Sequence, residues 1–102
     1  MPVCEISVIP VGTASPSVSE FVVEAQRVIQ KSGLKSMLGP MGTSFEGDID
    51  DILRVAKEVH EVCFKKGARR VLTTIKIDDR RDIEATAERK VRVVEEELRK
   101  RG

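Results

Sequence analysis

Apolar residues recur along this chain with two different periods, and the switching between them predicts its elements. Residues 3–11 are dominated by Val, Ile and Cys, with Pro10 and Gly12 closing the run, which predicts a strand. Its apolar positions fall on both parities (Val3, Ile9 and Val11 against Cys4, Ile6 and Val8), so both faces are expected to be covered, with Glu5 and Ser7 breaking one of them. Val18, Phe21, Val22, Ala25, Val28 and Ile29 then follow at steps of three and four, the stripe of an amphipathic helix. Its start is signalled twice, by Ser15 before Pro16 and by Ser17 with Glu20 three residues on, and Ser32-Gly33 ends it.

The period returns to two in the middle of the chain. Residues 34–38 predict a short strand, Gly39-Pro40-Met41-Gly42 a reversal, and residues 43–46 the returning strand. Asp48 is placed to cap a second helix whose stripe is Ile49, Ile52, Leu53, Ala56, Val59 and Cys63, with Lys65-Lys66-Gly67 suited to its end. Residues 69–77 form the cleanest strand pattern: Val71, Thr73, Ile75 and Ile77 share one parity, Leu72, Thr74 and Lys76 the other. A charged turn, Asp78 to Asp82, leads into a third helix capped by Asp79 or Asp82. Its stripe is thin (Ile83, Ala87, Val91, Val94, Leu98), and Glu95 with Arg99, Glu96 with Lys100 and Glu97 with Arg101 are spaced to pair along its outside.

The predicted order is β-α-β-β-α-β followed by one more helix. Two right-handed crossovers around a central hairpin give an α+β, ferredoxin-like βαββαβ sandwich, a four-stranded antiparallel sheet with two helices on one face. The other face is then open, and an open face carrying Leu72, Val3 or Ile9 favours self-association.

Composition narrows the function. At 102 residues the chain makes a single domain, 1–102, with one core. Three Phe, no Trp and no Tyr leave little to stack nucleic-acid bases on, and a net charge of +1 gives no field for phosphate backbones, so nucleic acid is not an expected partner. No run is long and apolar enough for a bilayer span and no leader is evident, which predicts a cytoplasmic protein without a membrane partner. Cys4 and Cys63 are expected as small buried hydrophobes rather than a bridge. With one histidine and no paired thiols, neither a metal nor a cofactor is expected. His60, beside a helical stripe, lacks any partner placed to complete a triad, and neither a Walker pattern nor GxGxxG is present.

Four pieces carry a resemblance: Pro10-Val11-Gly12-Thr13, Ser32-Gly33-Leu34, Pro40-Met41-Gly42-Thr43 with Glu46-Gly47, and Thr73-Thr74-Ile75-Lys76-Ile77-Asp78-Asp79-Arg80. In this order and on this element pattern the chain resembles the thiamine-binding protein family of small ferredoxin-like proteins, over nearly all of its length. The resemblance implies a non-catalytic intracellular protein that holds thiamine or its hydroxymethylpyrimidine part and assembles as a dimer of dimers. Ser36 stands where relatives often carry an aromatic residue that could stack on a pyrimidine ring.

An aminopyrimidine offers an amine donor and ring-nitrogen acceptors, so a site for it needs a carboxylate or carbonyl and a hydroxyl or backbone N–H. Glu46 and Thr43 supply those types, and Gly42 and Gly47 would let backbone approach a flat ring. Turn glycines, an ordinary strand threonine and a solvated glutamate account for the same residues, and the resemblance tips the reading toward a site. The expected pocket lies on the open sheet face near a subunit interface, formed by Thr43, Glu46, Met41 and Gly42 with Thr13 and Ser15 after the first strand and Lys76 and Asp78 at the end of the last. Helix capping competes for Ser15, and an ion pair competes for Lys76 and Asp78. A structural or regulatory oligomer without a ligand, and a small enzyme on the same scaffold, are the alternative functions.

Overall fold

The computed structural model describes residues 1–12, 19–82 and 87–101. In chain order these form β1 (Val3–Pro10), α1 (Ser19–Lys31), β2 (Ser36–Leu38), β3 (Thr43–Glu46), α2 (Ile49–Lys65), β4 (Val71–Asp78) and α3 (Ala87–Arg101). The strands pair antiparallel in the order β2-β3-β1-β4, the ferredoxin-like α+β arrangement predicted from the element order.

Register fixes which side chain faces which side. Cys4 lies opposite Phe45 and Ile77, and Ile6 opposite Thr43 and Ile75. Cys4, Ile6, Val8 and Phe45 therefore share one face, and there they meet Ala25 and Ile29 of α1 and Ile52, Val55, Ala56, Val59 and Cys63 of α2 in one buried cluster. Phe45 with Ile6, Val8, Ile29, Ile52, Val55 and Val59 is the main stabilising burial, each of these side chains contributing about 1.5–3 kcal/mol. Of the predicted stripes, Ala25 and Ile29 of α1 and Ile52, Ala56, Val59 and Cys63 of α2 are buried, Val22 and Leu53 are exposed, Val18 lies outside the described residues, and Val55 joins the core although it is not in the predicted stripe.

Helix ends follow the glycine signals. Gly33 takes φ 75° and Gly67 φ 112°, left-handed conformations that cost glycine little. At the end of α2, Ala68 N–H donates to Cys63 O and Gly67 N–H to Phe64 O, both at 3.0 Å, so two orphan carbonyls are satisfied in a Schellman turn. Asp48 occupies the predicted cap position of α2 but makes no side-chain cap hydrogen bond; its carbonyl instead accepts from Ile52 N–H at 2.9 Å. The Ser15 and Ser17 caps of α1 lie outside the described residues.

Two parts of the pattern are less buried than their periodicity suggests. Val71 packs on the core and Thr73 meets α2, whereas Ile75 and Ile77, on the same face of β4, remain exposed. Val91, Val94 and Leu98 of α3 are likewise exposed, at 53, 59 and 66%. A Cα radius of gyration of 15.5 Å against about 13 Å for a compact chain of this size expresses the same fact: α3 extends from the sandwich instead of joining its core.

Candidate functional site

The residues predicted to form one site are parted by the sheet. Thr43 and Glu46 are an odd number of residues apart on β3, so they point to opposite faces. Thr43 is buried on the helix side, where its hydroxyl donates to Gln26 Oε1 of α1 at 3.1 Å. Glu46 points to the open side, its carboxylate 4.0 Å from Lys35 Nζ and its side chain only 12% exposed. Lys76 and Asp78 are also on the open side: Lys76 lies across from Glu5, and Asp78 pairs with Lys90 of α3. Thr13 and Ser15 lie outside the described residues.

The hairpin explains its own glycines. Gly39 N–H donates to Gly42 O at 2.9 Å, which leaves Pro40 and Met41 as a two-residue loop with Met41 86% exposed. A Cβ on Gly42 would stand 3.0 Å from Ile6 O, so glycine here lets the returning strand close on β1. A Cβ on Gly47 would meet the Leu34 side chain at the same distance. These are close approaches within the chain, in place of the expected approach to a ligand ring.

Beside Thr43 the sheet has a notch. β1 runs on to Pro10 along β4, but its pairing with β3 stops at Ile6 opposite Thr43. Beyond that point the hairpin turns away, and a cleft of about 340 Å³ opens between the bare edge of β1, α1 and the hairpin. Ile6 to Ile9 form one wall, Val22, Ala25, Gln26 and Ile29 a second, and the segment from Leu38 through Thr43 the third, with Val59 beneath. None of these residues is charged. Three of the predicted site residues, Met41, Gly42 and Thr43, line this cleft, while Glu46, Lys76 and Asp78 do not.

A smaller cavity of about 100 Å³ lies on the other side of β3, lined by Lys35, Ser36, Met37, Ser44, Phe45, Glu46 and Glu88. Lys35 Nζ lies 2.8 Å from Glu88 of α3. Their hydrogen bond raises the Lys35 pKa and lowers that of Glu88 from their ordinary values. The lysine thus fastens the start of α3 to the strand carrying Glu46. Ser36 borders this cavity and not the larger cleft.

Nucleophiles and bases are occupied elsewhere. His60 Nδ1 lies 2.7 Å from Thr73 Oγ1 and its ring meets Phe64 edge-on at 5.3 Å, tying α2 to β4. Cys4 and Cys63 are free, fully buried thiols, and burial pushes Cys4 up to about 11 and Cys63 upward, away from the thiolate a nucleophile requires. Among the described residues no group of three His, Cys, Asp or Glu side chains could hold a metal, and no helix is long and apolar enough to cross a membrane.

Gln26 is the contributor that sequence reading missed. It stands four residues after Val22 and three before Ile29, on the inner edge of the α1 stripe, and a polar residue at that step is the signal that could have found it.

Fold and cleft together describe a small open-faced α+β sandwich with an uncharged groove beside its central hairpin. The chain belongs to the Thiamine-binding protein family, which matches residues 4–95. It is 39% identical to protein YqgV of Bacillus subtilis over 96% of this chain and 98% of that one. The crystal structure of hypothetical protein MJ1052 from Methanocaldococcus jannaschii, 42% identical, superposes with a TM-score of 0.85 over 93% of this chain and 96% of that one. A Thermotoga maritima protein named for a candidate role in thiamine biosynthesis or salvage, 26% identical, superposes at 0.78 over 91 and 97%.

Proposed function

We propose that this protein binds thiamine, or the hydroxymethylpyrimidine part of it, without chemistry, and that the ligand sits in the cleft between β1, α1 and the hairpin. The observation that carries this reading is the Thr43–Gln26 pair inside a cleft of about 340 Å³ whose described walls are uncharged and largely apolar. That volume lies near the lower end of the range of about 300–1,000 Å³ used by small-molecule sites, and a few fixed polar groups in an apolar wall are their usual composition. Thr43 Oγ1 spends its proton on Gln26, which leaves the amide nitrogen of Gln26 to donate to a ring nitrogen. The family membership supports the choice of ligand.

Self-association accompanies binding in this reading, as a dimer of dimers in the cytoplasm. Its support is the exposed stripe of Val91, Val94 and Leu98 on α3 together with Ile9 and Leu72 on the open sheet face, apolar side chains that a second copy would cover. Binding and assembly use different faces of the sheet, so each can be removed alone. Calorimetric titration with hydroxymethylpyrimidine and with thiamine tests the ligand: saturable heat is expected from both, and none at millimolar ligand from folded protein rejects it.

A further inference from the structure

The ladder of hydrogen bonds fixes where every backbone group of β1 points, and one residue is left facing the cleft. Val11 N–H donates to Arg70 O at 2.8 Å, and Gly47 N–H donates to Pro2 O at 3.3 Å. Antiparallel pairing alternates, so odd residues of β1 exchange hydrogen bonds with β4 and even residues with β3. Cys4 and Ile6 meet Phe45 and Thr43 in this way. Val8 is the next even residue, and β3 has already ended. Its N–H and C=O point side by side into the cleft with no described strand opposite, while its side chain is packed into the core. Pro10, the even residue after it, has no N–H to offer.

We infer that the bare backbone edge at Val8 reads the amidine-like edge of an aminopyrimidine, its N–H donating to a ring nitrogen and its C=O accepting from the neighbouring exocyclic amine. This rests on the ligand reading above and says which half of the ligand the cleft takes and how. A ring nitrogen and the amine beside it present one acceptor and one donor side by side, the complement of what one strand residue presents on its open side. The apolar wall formed by Val22, Ala25 and Ile29 gives the ring a dry surface. Among the described residues no charged side chain lines the cleft, so they offer nothing to a phosphate group or to a cationic ring, and those parts of a larger ligand remain outside. An added peptide strand is a poor occupant, because the edge holds one donor before Pro10 ends it and the hairpin stands across it.

Changing the ligand tests this without disturbing the fold. The 4-amino-5-hydroxymethyl-2-methylpyrimidine has the complementary edge; the same ring with hydrogen in place of the 4-amino group keeps the ring nitrogen and leaves the Val8 C=O without a donor. The amino compound is expected to bind at least about tenfold more tightly by calorimetry, the cost of leaving one buried acceptor unpaired. In a ¹⁵N-labelled sample it is expected to shift the Val8 amide resonance, and thiamine diphosphate is expected to bind no tighter than thiamine. Equal affinity for the compounds with and without the 4-amino group, or saturable binding that leaves the Val8 amide unmoved, overturns the edge while the ligand reading stands. Heat from neither pyrimidine nor thiamine removes both.

Discussion

Thr43 and Glu46 sit on the same four-residue strand and belong to opposite environments. On the helix side a neutral hydroxyl is buried, hydrogen-bonded to Gln26 and set in an uncharged cleft. On the open side a carboxylate shares a lysine with the first turn of a helix that touches little else. One strand thus supplies two settings, an uncharged cleft wall on one face and an electrostatic fastening on the other. The pleat keeps them apart, so either can change without the other.

The largest effects should come from the residue that anchors both. Phe45 is 1% exposed and lies beneath the cleft side of β3. Phe45→Ala is expected to cost about 3–5 kcal/mol in denaturant unfolding and to abolish both ligand binding and assembly. A loss of less than about 1 kcal/mol would mean that the core can collapse around the missing ring and that the strand does not support both faces. Leu72→Glu is a contrast on the open face. It is expected to leave the domain folded by circular dichroism, lower the mass measured by light scattering, and leave pyrimidine affinity in place. An unchanged mass would break the division of labour between the two faces.

Much of this architecture was legible in the sequence because burial imposes a period. The centres of both predicted stripes are buried, with Val22 and Leu53 at their margins exposed, and Gly33 and Gly67 marked helix ends because only a residue without a Cβ accepts those φ values cheaply. The candidate site was legible in residue types and lost in geometry. Thr43 and Glu46 were grouped by chemistry, although a strand sends residues three apart to opposite sides. The cleft itself arises from where a pairing stops, and the edge at Val8 has no side chain to signal it. Ile75 and Ile77 carry a core-like alternation on the helix face, but at the end of β4 that the helices do not reach, which periodicity alone does not reveal.

The two faces can be separated directly by one neutral substitution on each. Thr43→Val keeps shape and removes the hydroxyl, leaving the Gln26 amide short of a partner. It is expected to cost about 1 kcal/mol of stability and to weaken hydroxymethylpyrimidine several-fold in titration. Glu46→Gln is expected to leave that affinity unchanged, since the carboxylate faces the smaller cavity. Should Glu46→Gln weaken the ligand and Thr43→Val spare it, the site belongs on the open face.

The smallest expected effect concerns the fastening of α3. Glu88 has its pKa lowered chiefly by its hydrogen bond to Lys35, so the contact contributes above the ordinary carboxylate value of 4.5 and is lost as pH falls through the lowered one. Lys35 has its pKa raised by the same bond, so its contribution is complete below 10.5 and disappears only as pH rises through the raised value. Between those limits the strap holds; both groups are solvent-exposed, so salt should weaken it. Relaxation of ¹⁵N-labelled amides in α3 is expected to show faster motion at about pH 3 than at about pH 6, with β3 unchanged. Glu88→Gln should produce part of that loosening already at the higher pH, the Asp78–Lys90 pair holding the rest. If α3 is equally rigid in the variant, the helix is held by apolar contacts with a second copy, and the open side of β3 is an interface before it is a fastening.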